Sequence, residues 1–329
     1  MAQPVVIISA ADDVHADFVV ARLQSLGQDV VRFDLGEFSQ PGTYQVNLGT
    51  GRRQMMASLG DRTIDFSGSS PRSVLYRRPQ APAPPVQLVN PMARGFFEAE
   101  FNIVAESLHR LCDGATLWVN SPAANAAARN KLWQLSCATE VGLDVPPTLI
   151  TNSPSVAHSF YLEVGGRVVV KPLSPAPAST DGGWALFTRL LAESLSVADF
   201  RGVQYGSSIL QRYIEKAYDV RVAVIGNEVF ACQIMSQEDE RARVDWRIVA
   251  RGLPHIPAPA PPGVVAGLRR LRSRLGLATM HADFAVDEDE RWWFLETNPN
   301  GQWLWLELEA HLPVSMALAE LLITAKVTD

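Results

Sequence analysis

The sequence predicts an α/β protein, and three observations carry that reading. Residues 4–9 (PVVIIS) form a continuous apolar, β-branched run of the kind found in a buried parallel strand. A helical rhythm follows, with Phe18, Val19, Arg22, Leu23 and Leu26 on one side and Gly27 as a stop. Residues 29–34 (DVVRFD) then supply a second strand, completing a βαβ unit. The second half holds further short strand runs and a hairpin across 280–297. A chain of 329 residues suits two domains at about 100–200 residues each. A doubly wound first domain is expected over residues 1–120 and a second over 121–329, itself divided into 121–207 and 208–329, with the boundary at Ser121-Pro122.

Taken in order, residues 36–70 are polar and rich in Gly and Ser, with hairpin-like pieces at 44–48 and 53–59. Residues 73–78 (SVLYRR) read as a strand ending in two arginines, followed by a Pro-rich loop over 79–85. A helix over 91–111 carries Phe96, Phe97, Phe101, Val104 and Leu108 on one face, and 115–120 (ATLWVN) closes the domain. The second domain opens with a helix over 123–141, stopped by Gly142. Strands are expected at 148–151, 167–171, 185–188, 208–214, 219–225 and 229–233, then a loop of mixed charge over 236–251. Residues 257–262 (PAPAPP) read as a stiff linker. A helix over 263–275, a hairpin across 280–297 and a terminal helix from about 313 complete the chain.

Net charge is −6, which excludes a dedicated nucleic-acid binder, since phosphate neutralisation needs a basic surface. Of the 29 basic residues only four are lysines: Lys131, Lys171, Lys216 and Lys326. Where such a chain uses lysine, a compact ammonium is worth seeking. Cys112, Cys137 and Cys232 lack paired spacing and are expected as buried, reduced thiols. The N-terminal stretch has neither a basic region nor a long apolar run, so no signal peptide is expected. No run approaches the ~20 apolar residues of a membrane helix. A soluble, cytoplasmic protein with no membrane partner is the expectation.

The hairpin across 280–297 carries the sharpest chemistry. HADFAV (281–286) and RWWFLET (291–297) flank a four-residue acidic turn. A register setting Val286 opposite Arg291 and Asp283 opposite Phe294 places Asp283, Glu296 and Asn298 on one face. The two carboxylates are then diagonal neighbours, about 7–8 Å apart at the backbone. Two carboxylates and an amide oxygen are hard ligands that suit Mg²⁺ and poorly suit zinc. Magnesium held by so few carboxylates takes phosphate oxygens, which points to a nucleoside triphosphate. The opposing reading is a solvated sheet face. Lys171 ends the run Val168-Val169-Val170, where an ammonium is costly unless an anion meets it. Lys131, near the start of an amphipathic helix, is by itself an ordinary surface lysine. Trp292, Trp293, Trp303 and Trp305 read as packing rather than as a cofactor box.

These residues resemble the ATP-grasp carboxylate–amine/thiol ligases. The resemblance rests on Lys131, Lys171, QRYIEKAYDVRV (211–222), HADF (281–284) and LETNPNG (295–301). SVLYRR, VNSPAANAAARNKLWQL (119–135), GLDVPPTLITN (142–152) and NPNGQWLWLE (298–307) narrow it to the microviridin-type, or graspetide, branch. That branch matures ribosomally made peptides through side-chain ester or amide crosslinks. The resemblance implies a pre-ATP-grasp domain followed by an α+β ATP-grasp domain of two parts. It also implies ATP and two Mg²⁺ ions as cofactors, a precursor peptide with leader and acidic, hydroxyl-rich core as partner, and a homodimer. By the same resemblance Lys131 and Lys171 hold phosphates, and Gln211, Tyr213 and Ile214 form the adenine-side hinge. Asp219 accepts from the ribose, Arg221 meets the transferred phosphate, and Asp283, Glu296 and Asn298 bind the metal. Asp245-Trp246-Arg247 resembles part of the substrate-facing loop, and Arg247 joins Arg221 as an oxyanion stabiliser. The phosphate-covering loop after Lys171 departs from the family in reading SPAPASTDGGW rather than uniformly Gly.

An acidic peptide calls for arginines along its path. Arg241, Arg243, Arg247 and Arg251 are candidates with Asp245, although a solvated loop interleaved with acids fits them equally. Arg77 and Arg78 are placed equally by substrate contact and by domain-interface pairing. No general base is identified. The alternatives are a carboxylate–amine ligase for a small amino acid or a protein C-terminus, resembling the ribosomal-protein glutamate ligases, and a nucleotide-binding protein without turnover.

Overall fold

A computed structural model describes residues 3–39, 42–59, 62–67, 71–112, 114–174, 187–249 and 252–327. The first apolar run is β1 (Val5–Ser9), buried throughout. Asp13 caps α1 (Val14–Ser25), its carboxylate accepting from His15 N, and the chain turns at Gly27 with φ of +68°. It returns as β2 (Val30–Phe33), parallel to β1. The polar stretch becomes a separate antiparallel sheet of β3 (Thr43–Gly49), β4 (Arg52–Leu59) and β5 (Arg62–Asp65). Then β6 (Ser73–Arg77), α2 (Pro91–Leu111) and β7 (Leu117–Val119) complete a parallel sheet of order β2-β1-β6-β7. Phe101 and Leu108 of α2 face the core as expected, but Phe96 points outward, 66% exposed.

The helix expected over 123–141 is two helices, α3 (Pro122–Ala128) and α4 (Lys131–Glu140). Asn130 takes extended backbone between them and accepts from Trp133 N, so the break is a new N-cap. Lys131 thereby becomes the first residue of α4. Next come β8 (Thr148–Ile150), α5 (Pro154–Glu163), β9 (Val168–Pro172), β10 (Arg189–Leu190) and β11 (Ser208–Arg212), with sheet order β10-β9-β11-β8. Of the strand expected at 185–188, residues 185–186 lie outside the described residues, as do 175–184 of the loop after Lys171.

The final sheet joins β12 (Lys216–Ile225), β13 (Glu228–Ile234), β14 (His255–Ala258), β15 (Thr279–Asp287) and β16 (Trp292–Asn298) in the order β14-β13-β12-β15-β16. The expected Pro-rich linker is thus partly an edge strand: Pro257 pairs with Cys232, and Pro262 opens α6 (Pro262–Arg274). An edge strand and a helix's first turn are the two places where a missing N–H costs nothing. After α7 (Leu304–Leu308), α8 (Val314–Thr324) returns to the first sheet.

Alternation along β1 sends Val6 and Ile8 toward α2 and the β3–β5 sheet, and Val5 and Ile7 toward α1 and α8. The latter core continues into Ala223, Ile225 and Cys232 of the last sheet, so apolar packing crosses residue 121 without interruption. All three cysteines are buried and free, and Trp292, Trp293 and Trp303 pack in the interior. Among the described residues, no helix is long and apolar enough to cross a membrane.

Candidate active site

The sheet containing β9 and β11 faces the one containing β12, β15 and β16 across a cavity of about 890 Å³. That is ample for a nucleotide, as ligand pockets run to roughly 300–1,000 Å³. On the floor, strand register does the positioning. Arg221 of β12 pairs with Asp283 of β15, and Asp283 pairs with Glu296 of β16, so the three share one rung and one face. The register differs from the expected one. Val286 pairs with Trp292 and Phe284 with Phe294, and an irregularity beside Asp283 makes Leu295 the extra residue. Without that bulge Glu296 would pair with Ala282 and point into the core. The carboxylates are direct partners rather than diagonal ones.

Arg221 Nη1 lies 3.2 Å from Asp283 Oδ2, while Lys131 Nζ lies 3.1 Å and Arg247 Nη1 3.6 Å from Glu296. Burial raises the Asp283 carboxyl above the usual carboxylate range despite Arg221. Glu296 is also desolvated, but Lys131, Arg247 and Lys171 outweigh that and hold it low. Asp283 Oδ1 is buried without a hydrogen-bond partner among the described residues, and a divalent cation would satisfy it. Asn298, exposed at the end of β16, accepts from Asn300 N at 3.0 Å and keeps a second lone pair free. Among the described residues no three His, Cys, Asp or Glu side chains form a metal cage. The donor set is two carboxylates and an amide, which fits magnesium that draws its remaining ligands from phosphate and water.

The opposite wall supplies cations. Lys171 Nζ donates to Gln211 Oε1 at 2.8 Å, and Gln211 donates to Thr148 at 2.8 Å. Burial pushes the Lys171 ammonium down to about 8. Ile214 packs with Ala285, Trp293 and Leu295 into an apolar patch on which a planar base can lie, beside Tyr213, whose ring carries the Arg167 guanidinium at 5.1 Å. Asp219 does not stand free for a ribose. Lys216 Nζ is 2.7 Å from it, both side chains are 5% exposed, and Lys216 also donates to the carbonyl of Val244. Lys216, one of the four lysines, is thus the third lining the cavity. Its scarcity was the signal that could have found it.

The substrate-loop candidates separate. Arg247 forks onto Asp245 at 2.7 and 2.8 Å; this outweighs the burial of Asp245 and holds its carboxyl at about 2. Asp245 also accepts from Thr188 N, and both line the cavity. Arg241 forks instead onto its neighbour Asp239, 72% exposed, and Arg243 is exposed; neither borders the cavity. Arg251 lies outside the described residues. Arg77 is buried against Asp13 at 3.0 Å, which closes it off from a peptide, while Arg78 borders the cavity and donates to the carbonyl of Asn300.

Two sheets facing across a nucleotide-sized cavity, with Lys171 on one and the paired carboxylates on the other, define the class: the chain has the ATP-grasp fold. No family model matches it. Within that class its structural neighbours include macrocyclases and a RiPP-associated ligase, in agreement with the microviridin-type resemblance. The macrocyclase MdnB from Microcystis aeruginosa MRC is 27% identical, with 98% of this chain and 99% of that one covered and a TM-score of 0.76. The Chryseobacterium gregarium RiPP-associated ATP-grasp ligase, solved with ADP and a leader and core peptide, shares the fold at TM-score 0.87 and 22% identity, covering 98% and 97%. The macrocyclase MdnC from M. aeruginosa MRC, bound with precursor peptide MdnA, does so at 0.82 and 24%, covering 98% and 99%. A curated relative, a probable alpha-L-glutamate ligase of Enterobacter sp. (strain 638), is 36% identical over 115 residues, so the match spans 34% of this chain and only 37% of that protein.

Proposed function

We propose that this chain is an ATP-dependent ligase that matures a ribosomally made precursor peptide, activating Asp or Glu side chains and joining them to Ser or Thr hydroxyls, or to a Lys amine. The observation that carries the reading is the rung shared by Arg221, Asp283 and Glu296, with Lys131 paired to Glu296 and Lys171 lining the same cavity. The 27% identity to a macrocyclase along nearly the whole chain supports the peptide substrate. In this reading residues 1–120 form the pre-ATP-grasp domain, 121–207 the lid part and 208–329 the nucleotide and metal part. The assembly is a homodimer, and the buried, free thiols suit a cytoplasmic setting.

A carboxylate is a poor acyl donor because oxide must leave. Transfer of the γ-phosphoryl of ATP to it gives ADP and an acyl-phosphate, whose leaving group is phosphate. Attack of the hydroxyl or amine on the acyl carbon then gives ester or amide, phosphate and a proton. Lys131, Lys171 and Arg221 neutralise the phosphoryl charge as it moves, which is how such transfers are mainly catalysed. Asp283, Glu296 and Asn298 would hold Mg²⁺, which when bound neutralises phosphate oxygens and orients them. Gln211, Tyr213 and Ile214 bound the base. Asp219, held by Lys216, lines the cavity as a buried ion pair rather than as a free ribose acceptor. Arg247, fixed by Asp245, is directed toward Glu296 and serves the tetrahedral oxyanion.

The test is mass spectrometry of a cognate precursor after incubation with ATP and Mg²⁺. One water is lost per crosslink, and Glu296→Ala abolishes the loss; an unchanged mass with a genuine cognate peptide refutes the proposal. The relationship to glutamate ligases favours a second reading, condensation of a free amino acid onto a carboxylate. It predicts a mass gain instead.

A further inference from the structure

We propose that the first domain acts as a clamp on the metal-binding turn: Asn120, Arg77 and Arg78 hold the carbonyls of Pro299, Asn300 and Gly301 and so position Asn298. The inference rests on reading Asp283, Glu296 and Asn298 as the metal ligands. It assigns Arg77 and Arg78 as positioning residues rather than as peptide contacts.

The turn after β16 leaves its ladder, and its carbonyls would ordinarily point to water. Here three consecutive ones accept from side chains that lie far earlier in the chain. Asn120 Nδ2 donates to Pro299 O at 3.2 Å. Arg78 donates through Nε and Nη2 to Asn300 O at 3.1 and 2.9 Å. Arg77 Nη1 donates to Gly301 O at 3.0 Å and reaches Asn300 O at 3.5 Å. The peptide unit beyond Asn300 is thus fixed, and Asn300 N donates at 3.0 Å to Oδ1 of Asn298. The clamp reaches a proposed ligand through a single residue.

The clamping side chains are themselves held. Arg77 is anchored by Asp13, the cap of α1, in a pair almost closed to solvent. Asn120 accepts from Ala278 N and Thr279 N at 2.7 and 2.9 Å and donates to Thr279 O, tying it to the start of β15, the strand that bears Asp283. Arg78 adopts φ of +45°, a left-handed conformation that costs a non-glycine residue energy and recurs where geometry serves function. From the other side the turn presses on β15: a Cβ on Gly301 would lie 2.8 Å from His281 Cβ, so only glycine fits. The turn sits between His281 and two arginines, with little freedom to reorient Asn298. Groups that orient metal ligands typically change affinity by about 10–100-fold when removed.

The test is Mn²⁺ binding to the full chain with ADP, read from the free Mn²⁺ signal by electron paramagnetic resonance, beside the affinity of a labelled precursor peptide. Arg78→Met is expected to weaken Mn²⁺ binding about 10-fold, with peptide affinity within about twofold of the parent and Arg78→Lys between the two. Unchanged Mn²⁺ affinity in a folded Arg78→Met protein overturns the clamp. So does a loss confined to the peptide, which would make Arg78 a substrate contact. Should Arg78→Met not fold, Arg78→Lys carries the same comparison. Failure of the parent protein to bind Mn²⁺ with ADP refutes the ligase reading itself, an outcome distinct from equal binding by parent and variant.

Discussion

Replacing Asp13 by Asn isolates one charge at the centre of the interface between the first sheet and the site. Asp13 has two roles: its side chain caps α1 through His15 N, and its charge meets Arg77 at 3.0 Å. Asn caps as well as Asp, so the substitution removes the charge and leaves the cap. Side-chain exposures of 8% and 5% make this a buried pair. Removing one partner of such a pair strands the other charge and costs about 3–5 kcal/mol. Unfolding entropy near 2.1 cal/mol/K per residue gives about 0.7 kcal/mol/K for this length, so the melting temperature should fall by about 4–7 °C. Asp13→Ala also loses the cap and should cost about 1 kcal/mol more. Because the damage is an uncompensated guanidinium, Arg77→Met combined with Asp13→Asn should be more stable than the sum of the single losses predicts. Differential scanning calorimetry of the four variants measures this. Melting within about 1 °C of the parent for Asp13→Asn, or strict additivity in the double variant, would refute the reasoning.

Two pH dependences follow from burial. His15 is held at about 4 by burial and by Arg77, and His281, fully enclosed, lies well below the usual range. Both stay neutral when folded and take up protons near pH 6.5 when unfolded, so their stabilisation is complete above that pH and is lost as pH falls. His15 should cost about 2 kcal/mol by pH 5, with His281 acting in the same direction, seen as a falling urea midpoint, and His15→Phe should reduce the slope; a flat midpoint contradicts it. Lys171 loses its charge as pH rises through about 8. ATP affinity should therefore decline from pH 7 to 9, and Lys171→Arg should remove the decline; identical profiles for the two proteins would count against a phosphate-holding Lys171.

Local pattern made much of this protein legible. The β-branched run of β1 and the rhythm of α1 need no distant partner to be read, and both stand where expected. The acidic hairpin was legible as well, because strand alternation sorts side chains by face. The misreadings arose where a neighbour decided. A single helix over 123–141 is favoured by its composition, yet Asn130 caps a new one. The Pro-rich 257–262 stretch lacks donors, yet an edge beside β13 accepts it. Sequence pattern gives Lys216 no role, yet β12 sets it against Asp219 at the cavity wall.

The sequence by itself determined which residue types the proposed chemistry draws on: rare lysines, two carboxylates and an amide, which stand out because phosphate and magnesium call for those donors. Only the tertiary structure decided how they meet. The Leu295 bulge brings Glu296 beside Asp283, and side chains more than 170 residues earlier grip the turn after Asn298. Register and long-range hydrogen bonding depend on which strands become neighbours, and no local pattern encodes that.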